Sequence, residues 1–255
     1  MRALLAGAAL LFALGAPSGA QAEDPPRATA PRPSPGALRV SFLGGLAHGS
    51  SRFTETRTFT EFAEEGRIES RYEQDPGPGF EVGAGWRFRP RFGLSAAVSV
   101  ARRKEAGSFT AALPHPLYFG APRQATGTFE GRAQKETAVH LDLTFAGEAR
   151  RLQWTVFAGP SLALIDTDLV RSVEYTQAYP YDTVTVTGTP FDVVSGRALG
   201  FNVGAGLAWP AARHVAIASQ IRFSRAQVAL EPNADGRVTV SAGGLALAVG
   251  LRFDF

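Results

Sequence analysis

The sequence predicts an all-β fold: an eight-stranded antiparallel up-and-down barrel that crosses a membrane, with short turns at one end and long loops at the other. Three observations point there. Eight segments alternate large apolar residues with small or polar ones, the period of a strand with two unlike faces. Tight connections alternate with long ones along the chain. With the large residues outward, every strand presents Leu, Val, Phe or Trp, a coat far larger than the apolar patch of a soluble monomer and suited to lipid. The reverse assignment would put arginine in lipid, at about 2–4 kcal/mol each at mid-depth.

The elements follow in order. Arg2 precedes an apolar run over 3–16 and then Ala20-Gln21-Ala22. A basic start, a short apolar core and a small-residue site describe a secretory signal peptide, expected over 1–22 with cleavage after Ala22. Residues 23–36 (EDPPRATAPRPSPG) are rich in Pro and Ala without an apolar face and read as a disordered leader. The barrel domain is assigned to 37–255.

Its strands are predicted over 38–48, 80–88, 92–102, 137–145, 152–164, 199–209, 215–223 and 237–255. The last, ending LALAVGLRFDF, alternates Leu245, Leu247, Val249, Leu251, Phe253 and Phe255 with Ala246, Ala248, Gly250, Arg252 and Asp254. Val238 and Val240 fall out of step with Leu245, so a phase flip through a bulge is expected at Gly243-Gly244.

Turns at 89–91, 146–151 and 210–214 are tight, whereas 49–79, 103–136 and 165–198 are long. Short periplasmic turns opposite long extracellular loops are the plan of a bacterial outer-membrane barrel, so the cell outer membrane is the expected location. No stretch of 18 apolar residues supplies a transmembrane helix, and the chain has no cysteine for a disulfide frame. The net charge of +3 becomes +2 without Arg2, too little to argue for nucleic acid.

Trp86, Trp154 and Trp209 all fall at the short-turn rim, joined by Phe88, Phe92, Phe145, Phe253 and Phe255. This is the expected periplasmic aromatic girdle. The inward phase carries a polar lumen network of Arg39, Glu81, Arg87, His140, Asp142, Asn202, Gln220, Arg222, Arg252 and Asp254. Arg39, Arg87, Arg252 and Asp254 form a layer near the periplasmic end; His140, Asp142, Asn202, Gln220 and Arg222 lie nearer the middle. An eight-stranded barrel has room only for its own side chains, so a satisfied structural network is preferred over a conduit or gated plug.

The glycine-rich strands GFNVGAGLAW (200–209) and FEVGAGW (80–86), the phrase FAGPSL (157–162) and the terminal GLRFDF (250–255) resemble the small outer-membrane β-barrel proteins of Gram-negative bacteria. That group includes the transmembrane domain of outer-membrane protein A, and the resemblance covers 37–255. It implies that Phe255, with Phe253, Leu251 and Val249, is the signal read by the outer-membrane assembly machinery. It also implies outer-membrane lipid and lipopolysaccharide as partners. It says little of activity, because the group holds anchors, adhesins, small channels and a few lipid enzymes.

Loop contacts are expected from His115 and Tyr118 in LPHPLYFGAPR, and from Tyr175, Tyr179 and Tyr181 in the third long loop. The Pro-His-Pro is also read as a proline-shaped turn, and the tyrosines equally suit a headgroup belt. Glu61, Glu64 and Glu65 with TETRTFT read as a solvated hairpin extending strands one and two, while such carboxylates can also hold divalent cations near lipopolysaccharide.

No catalytic site, metal site or cofactor is expected. His140 lies beside Asp142 without an obviously paired serine, and no GxSxG occurs in a usable setting. The expected function is a non-enzymatic structural or surface-interaction role through extracellular loops, with the surface ligand left open. The alternative is a small porin-like channel or conduit for ions or hydrophobic compounds, and a third reading is a lipid-modifying enzyme.

Overall fold

The computed structural model describes residues 37–49, 52–233 and 236–255; the expected signal peptide and leader lie outside them. Among the described residues the chain forms twelve β-strands and no helix. These are β1 (Leu38–His48), β2 (Arg52–Glu61), β3 (Glu64–Gln74), β4 (Gly77–Arg87), β5 (Phe92–Leu113) and β6 (Arg123–Ala149). They continue as β7 (Leu152–Val170), β8 (Glu174–Gln177), β9 (Val184–Gly188), β10 (Phe191–Ala212), β11 (Val215–Asn233) and β12 (Gly236–Asp254).

Eight of them close an antiparallel ring in the order β1-β4-β5-β6-β7-β10-β11-β12, β12 returning to β1 from Arg39↔Asp254 to His48↔Leu245. The other four decorate the loop end. The β2–β3 hairpin rises between β1 and β4 and pairs through β3 with the upper part of β5, from Arg67↔Ala112 to Gln74↔Glu105. The β8–β9 ribbon lies between β7 and β10.

In the lower half, Phe80, Leu94, Leu141, Val203, Ile217 and Leu247 are all exposed on the outer wall, while Gly83, Ala97, His140, Asn202, Ala218 and Arg222 face the axis. A closed sheet leaves no unpaired backbone for hydrocarbon, so this half spans the membrane with apolar side chains against lipid. At the turn end, Trp86 lies 5.9 Å from Phe88, Phe92 lies 5.2 Å from Phe145, and Phe145 lies 5.5 Å from Trp154. Trp209 and Phe255 are exposed on the same rim, and Phe253 packs on Phe42 at 6.2 Å.

The long connections are mostly not loops. Residues 103–113 and 123–136 prolong β5 and β6, and 165–170 and 191–198 prolong β7 and β10. The physical reason is an exchange of environments. The outer face changes from Val100 to Arg102 on β5, Leu164 to Asp166 on β7, Leu199 to Arg197 on β10 and Phe223 to Arg225 on β11. Above that collar the same inward phase turns apolar: Ile68, Phe109, Leu113, Leu169, Leu230 and Val240 form one buried core. Each such side chain removed from water stabilises the fold by about 1.5–3 kcal/mol. The upper half is thus built like a soluble barrel, standing on an inside-out one.

This exchange also corrects the reading of the last strand. Val238 and Val240 keep the inward phase of Ala246 and Ala248, and β11 pairs across Gly243 and Gly244 without a register shift. The shift lies between Leu230 and Asn233 instead. Gly243 and Gly244 nevertheless have φ of 95° and 125°, a backbone reserved for glycine. A Cβ on Gly244 would stand 2.3 Å from the His48 carbonyl oxygen.

The collar makes a direct test. Leu141→Arg, in the apolar belt, is expected to reduce folding into lipid vesicles by about 2–4 kcal/mol. Thr126→Arg, on the outer face of the same strand above the collar, is expected to stay within about 0.5 kcal/mol of the parent. Gel-mobility shift on heating reads the folded fraction of both.

Candidate functional site

The axis of the barrel is a stack of polar layers, each assembled from strands far apart in sequence. At the turn end, Arg39 (β1), Arg87 (β4), Arg252 and Asp254 (β12) meet. Arg252 Nη2 donates to Asp254 Oδ2 at 2.8 Å and also reaches Gln153 Oε1. Arg39 Nε stands 3.4 Å from Asp254 Oδ1.

The middle layer centres on Arg222. Its Nε and Nη2 donate to the two oxygens of Glu81, each at 3.1 Å, and its Nη1 donates to Asp142 Oδ2 at 3.0 Å and to Asn202 Oδ1. Gln220 adds a 2.9 Å bond to Glu81 Oε1. The guanidinium lies over Phe157, 4.5 Å from the ring centre, and Phe157 in turn leans on Gly204, where a Cβ would meet the ring at 2.3 Å. Glycine at 204 therefore makes room for the cation–π partner. Arg222, Glu81, Asp142 and Asn202 are all buried.

His140 is not without serine partners, as the sequence suggested. Its Nδ1 lies 2.8 Å from Ser161 Oγ and its Nε2 3.0 Å from Ser99 Oγ, while Asn202 Nδ2 donates to Ser161 Oγ at 3.0 Å. The ring bridges two hydroxyls, and Asp142, two residues along, is committed to Arg222. A nucleophile–base pair needs a third group orienting the base, and both ring nitrogens here are occupied by hydroxyls.

Higher layers lie outside the predicted set. Arg103 Nη1 donates to Glu136 Oε2 at 2.8 Å and its Nη2 to the Gly243 carbonyl at 3.1 Å. Glu105 accepts from Gln74 Nε2 at 3.1 Å and Thr167 Oγ1 at 2.8 Å. Glu55 accepts from Tyr72 OH at 3.0 Å and Arg57 Nη2 at 3.1 Å, and Tyr72 OH itself accepts from Val170 N–H. The signal for Arg103 and Glu105 was present: both continue the odd-numbered inward phase of the third predicted strand past its assigned end. Burial is the main cause that lifts the Glu55 and Glu105 carboxyls above the ordinary range.

The loop tips are stitched to one another. Tyr175 OH donates to Glu61 (2.9 and 2.8 Å), joining the first and third loops, and burial with the Glu61 contact pushes this phenol up to about 12. Gly120 N–H donates to Glu64, joining the first and second. Arg123, absent from the sequence reading, is buried and donates to the carbonyls of Pro114 at 2.6 Å and Tyr181 at 3.1 Å. The tip carboxylates therefore cap a hairpin whose inner face (Phe53, Glu55, Arg57, Tyr72) is buried, not solvated on both sides. His115 is likewise buried, its Nδ1 accepting from Leu117 and Tyr118 N–H at 3.1 Å, so it is a turn brace and not a presented tip. Tyr118 and Tyr179 stand exposed; Tyr181 is half-buried.

No protein-family model and no curated protein sequence matches this chain. Solved structures similar to it include the outer membrane protein OprG from Pseudomonas aeruginosa, at 11% identity, TM-score 0.48, 86% of this chain and 96% of that one. Neisserial surface protein A gives 14%, 0.43, 86% and 99%. The outer membrane protease OmpT from Escherichia coli gives 9%, 0.44, 87% and 98%.

Two outcomes test the layers. Arg222→Met leaves Glu81 and Asp142 buried without their cation and is expected to destabilise the barrel by about 3–5 kcal/mol in urea titrations in vesicles. A carboxyl raised in the folded state favours folding while it is neutral, so the contribution of Glu105 is full below its ordinary value of 4.5 and lost as pH rises through its raised one. Stability is expected to fall over that window, and Glu105→Gln to remove that part of the slope.

Proposed function

We propose that the chain is a closed, non-conducting outer-membrane barrel that holds a rigid extracellular platform for surface contact. The single observation that carries this is the filled axis: the Arg222 layer, the Arg103–Glu136 pair, the Glu105 and Glu55 layers and the apolar core follow one another along it. Side chains that bond to one another across the bore stand in the way of water and ions. The tied loop tips supply the platform, with Tyr118, Phe119 and Tyr179 as its exposed aromatic contacts.

The reading is non-enzymatic, supported by His140 held between two serines with no carboxylate to orient it. Lipid and lipopolysaccharide are the lateral partners in this reading. The apolar belt suits acyl chains, and Arg102 and Lys135, opposite each other on the outer collar, suit headgroup phosphates. Val249, Leu251, Phe253 and Phe255 on the terminal strand serve the assembly machinery in the same reading.

One observation favours a second reading, a lateral conduit for hydrophobic compounds. Among the described residues β2 pairs only with β3, and β12 above Gly244 pairs only with β11, leaving a seam in the upper wall. A cavity of about 50 Å³ lies at its foot, where Leu46, Phe80, Leu245 and Leu247 share the lining with Arg103, Glu136, His140 and Arg222.

Planar-bilayer recording on the refolded chain separates pore from platform. No reproducible conductance steps are expected, from the parent or from Arg222→Met, because the upper layers remain. Regular steps from the parent would overturn the closed-barrel reading.

A further inference from the structure

The turn end of the lumen holds more positive charge than its own acids balance. Arg39, Arg87 and Arg252 share one inward carboxylate, Asp254, which already serves two of them. Arg39 Nη2 is buried with no protein acceptor, and its Nε meets Asp254 without hydrogen-bond alignment. The Arg87 guanidinium makes no hydrogen bond or ion pair with any described residue, although the residue is only 8% exposed and its backbone N–H donates to the Ala37 carbonyl. The exposed Glu148, at the end of β6, is the other acid close enough to act on it.

All three arginines line one cavity of about 120 Å³, which reaches up to Arg222 and to Glu81, the carboxylate that Arg222 already holds. About 10–15 Å³ accommodates one water, so this space takes a small oxyanion together with several waters. Ser41, Ser95 and Thr155 add hydroxyl donors to its wall, and Gly85, Gly93 and Gly206 keep it open by carrying no side chain. Outside the mouth, every tight turn carries exposed arginine: Arg89 and Arg91, Arg150 and Arg151, and Arg213.

We infer that this mouth is a binding site for a phosphate-type oxyanion. The Arg39 edge, buried without an acceptor, and the unpaired Arg87 guanidinium on the cavity wall are forks that match phosphate oxygens two at a time. Desolvated cations held together are unfavourable until an anion joins them, so the site gains what its own residues leave unmet. The turn arginines raise the local anion concentration and steer it inward. The phosphate has two sources, a free one in the periplasm or the headgroup of an anionic phospholipid in the inner leaflet.

The test uses the full chain refolded in phosphatidylcholine nanodiscs and titrated with inorganic phosphate by calorimetry at low ionic strength. Saturable binding is expected. Arg87→Gln and Arg39→Gln are each expected to weaken it by about ten-fold or more, the loss of one charge-assisted contact. Arg87→Lys keeps the charge without the fork and is expected to fall between. Arg91→Gln, at a turn, is expected to change affinity by less than about two-fold at moderate salt. Heat-modifiable gel mobility verifies that each variant is folded. Repeating the titration in phosphatidylglycerol nanodiscs identifies the source: competition supports a headgroup occupant, and unchanged affinity supports a soluble one. No saturable binding by the folded parent, or binding indifferent to both Arg87 and Arg39, overturns the site.

Discussion

One constraint governs the molecule: a continuous set of strands passes from hydrocarbon into water, and each face must suit what it meets. Below the collar of Arg102, Lys135, Asp166, Arg197 and Arg225 the outer face is apolar and the bore holds arginine, carboxylates and amides. Above it the outer face is mostly polar, with Ser108, Thr110, Thr126 and Thr128, and the bore holds Ile68, Phe109, Leu169 and Val240 around the buried Glu105 and Glu55. β5, β7, β10, β11 and β12 keep their phase at the boundary; β6 shifts, where Glu105 pairs with Arg132 and Gly107 with Phe129, so that its buried side chains pass from Glu136 and Gln134 to Phe129 and Ala125. On the other strands only the chemistry of each phase changes, which lets the sheet run past the membrane without a hinge.

The two halves are stabilised by different terms. The upper half gains from removing apolar surface from water, as a soluble protein does. In the lower half lipid is as apolar as leucine, so that term is absent between wall and surroundings. Closure of the backbone ladder and mutual satisfaction of buried polar groups remain. Buried ion pairs add little net stability over apolar filling but penalise any arrangement that separates them. Arg222, bonded at once to β4, β6 and β10, therefore specifies which strands face one another across the bore.

Much of this was legible in the chain. The first strand, 38–48, coincides with β1, and the starts of β5, β7 and β11 coincide with the predicted 92, 152 and 215. Period-2 alternation and tight turns mark such edges well. The upper ends are not legible in the chain, because apolar residues face outward only below the collar; above it that rule reverses. The same reversal gives Val238 and Val240 the look of a phase flip. The bond between His140 and both Ser99 and Ser161 joins three strands whose register no single sequence displays. Arg123 and Glu105 sat in stretches assigned to loops, where the inward period was not followed. The turn at Phe62 and Ala63, with φ of 50° and 62°, lacks the Asn-Gly signature that usually advertises such a bend.

The stitching of the loop tips has a consequence for how this surface can diversify. Glu61 with Tyr175, Glu64 with Gly120, and Arg123 with the carbonyls of Pro114 and Tyr181 make each crest depend on another. A change at any of these seams orphans a partner on a neighbouring crest, so the summit evolves as a unit. Room for independent variation is left to side chains that point away from the knot, such as Phe119 and Tyr179, which are 87% and 80% exposed. Lineages under pressure from outside would accumulate their differences on those projections, while the fastenings beneath them stay the same.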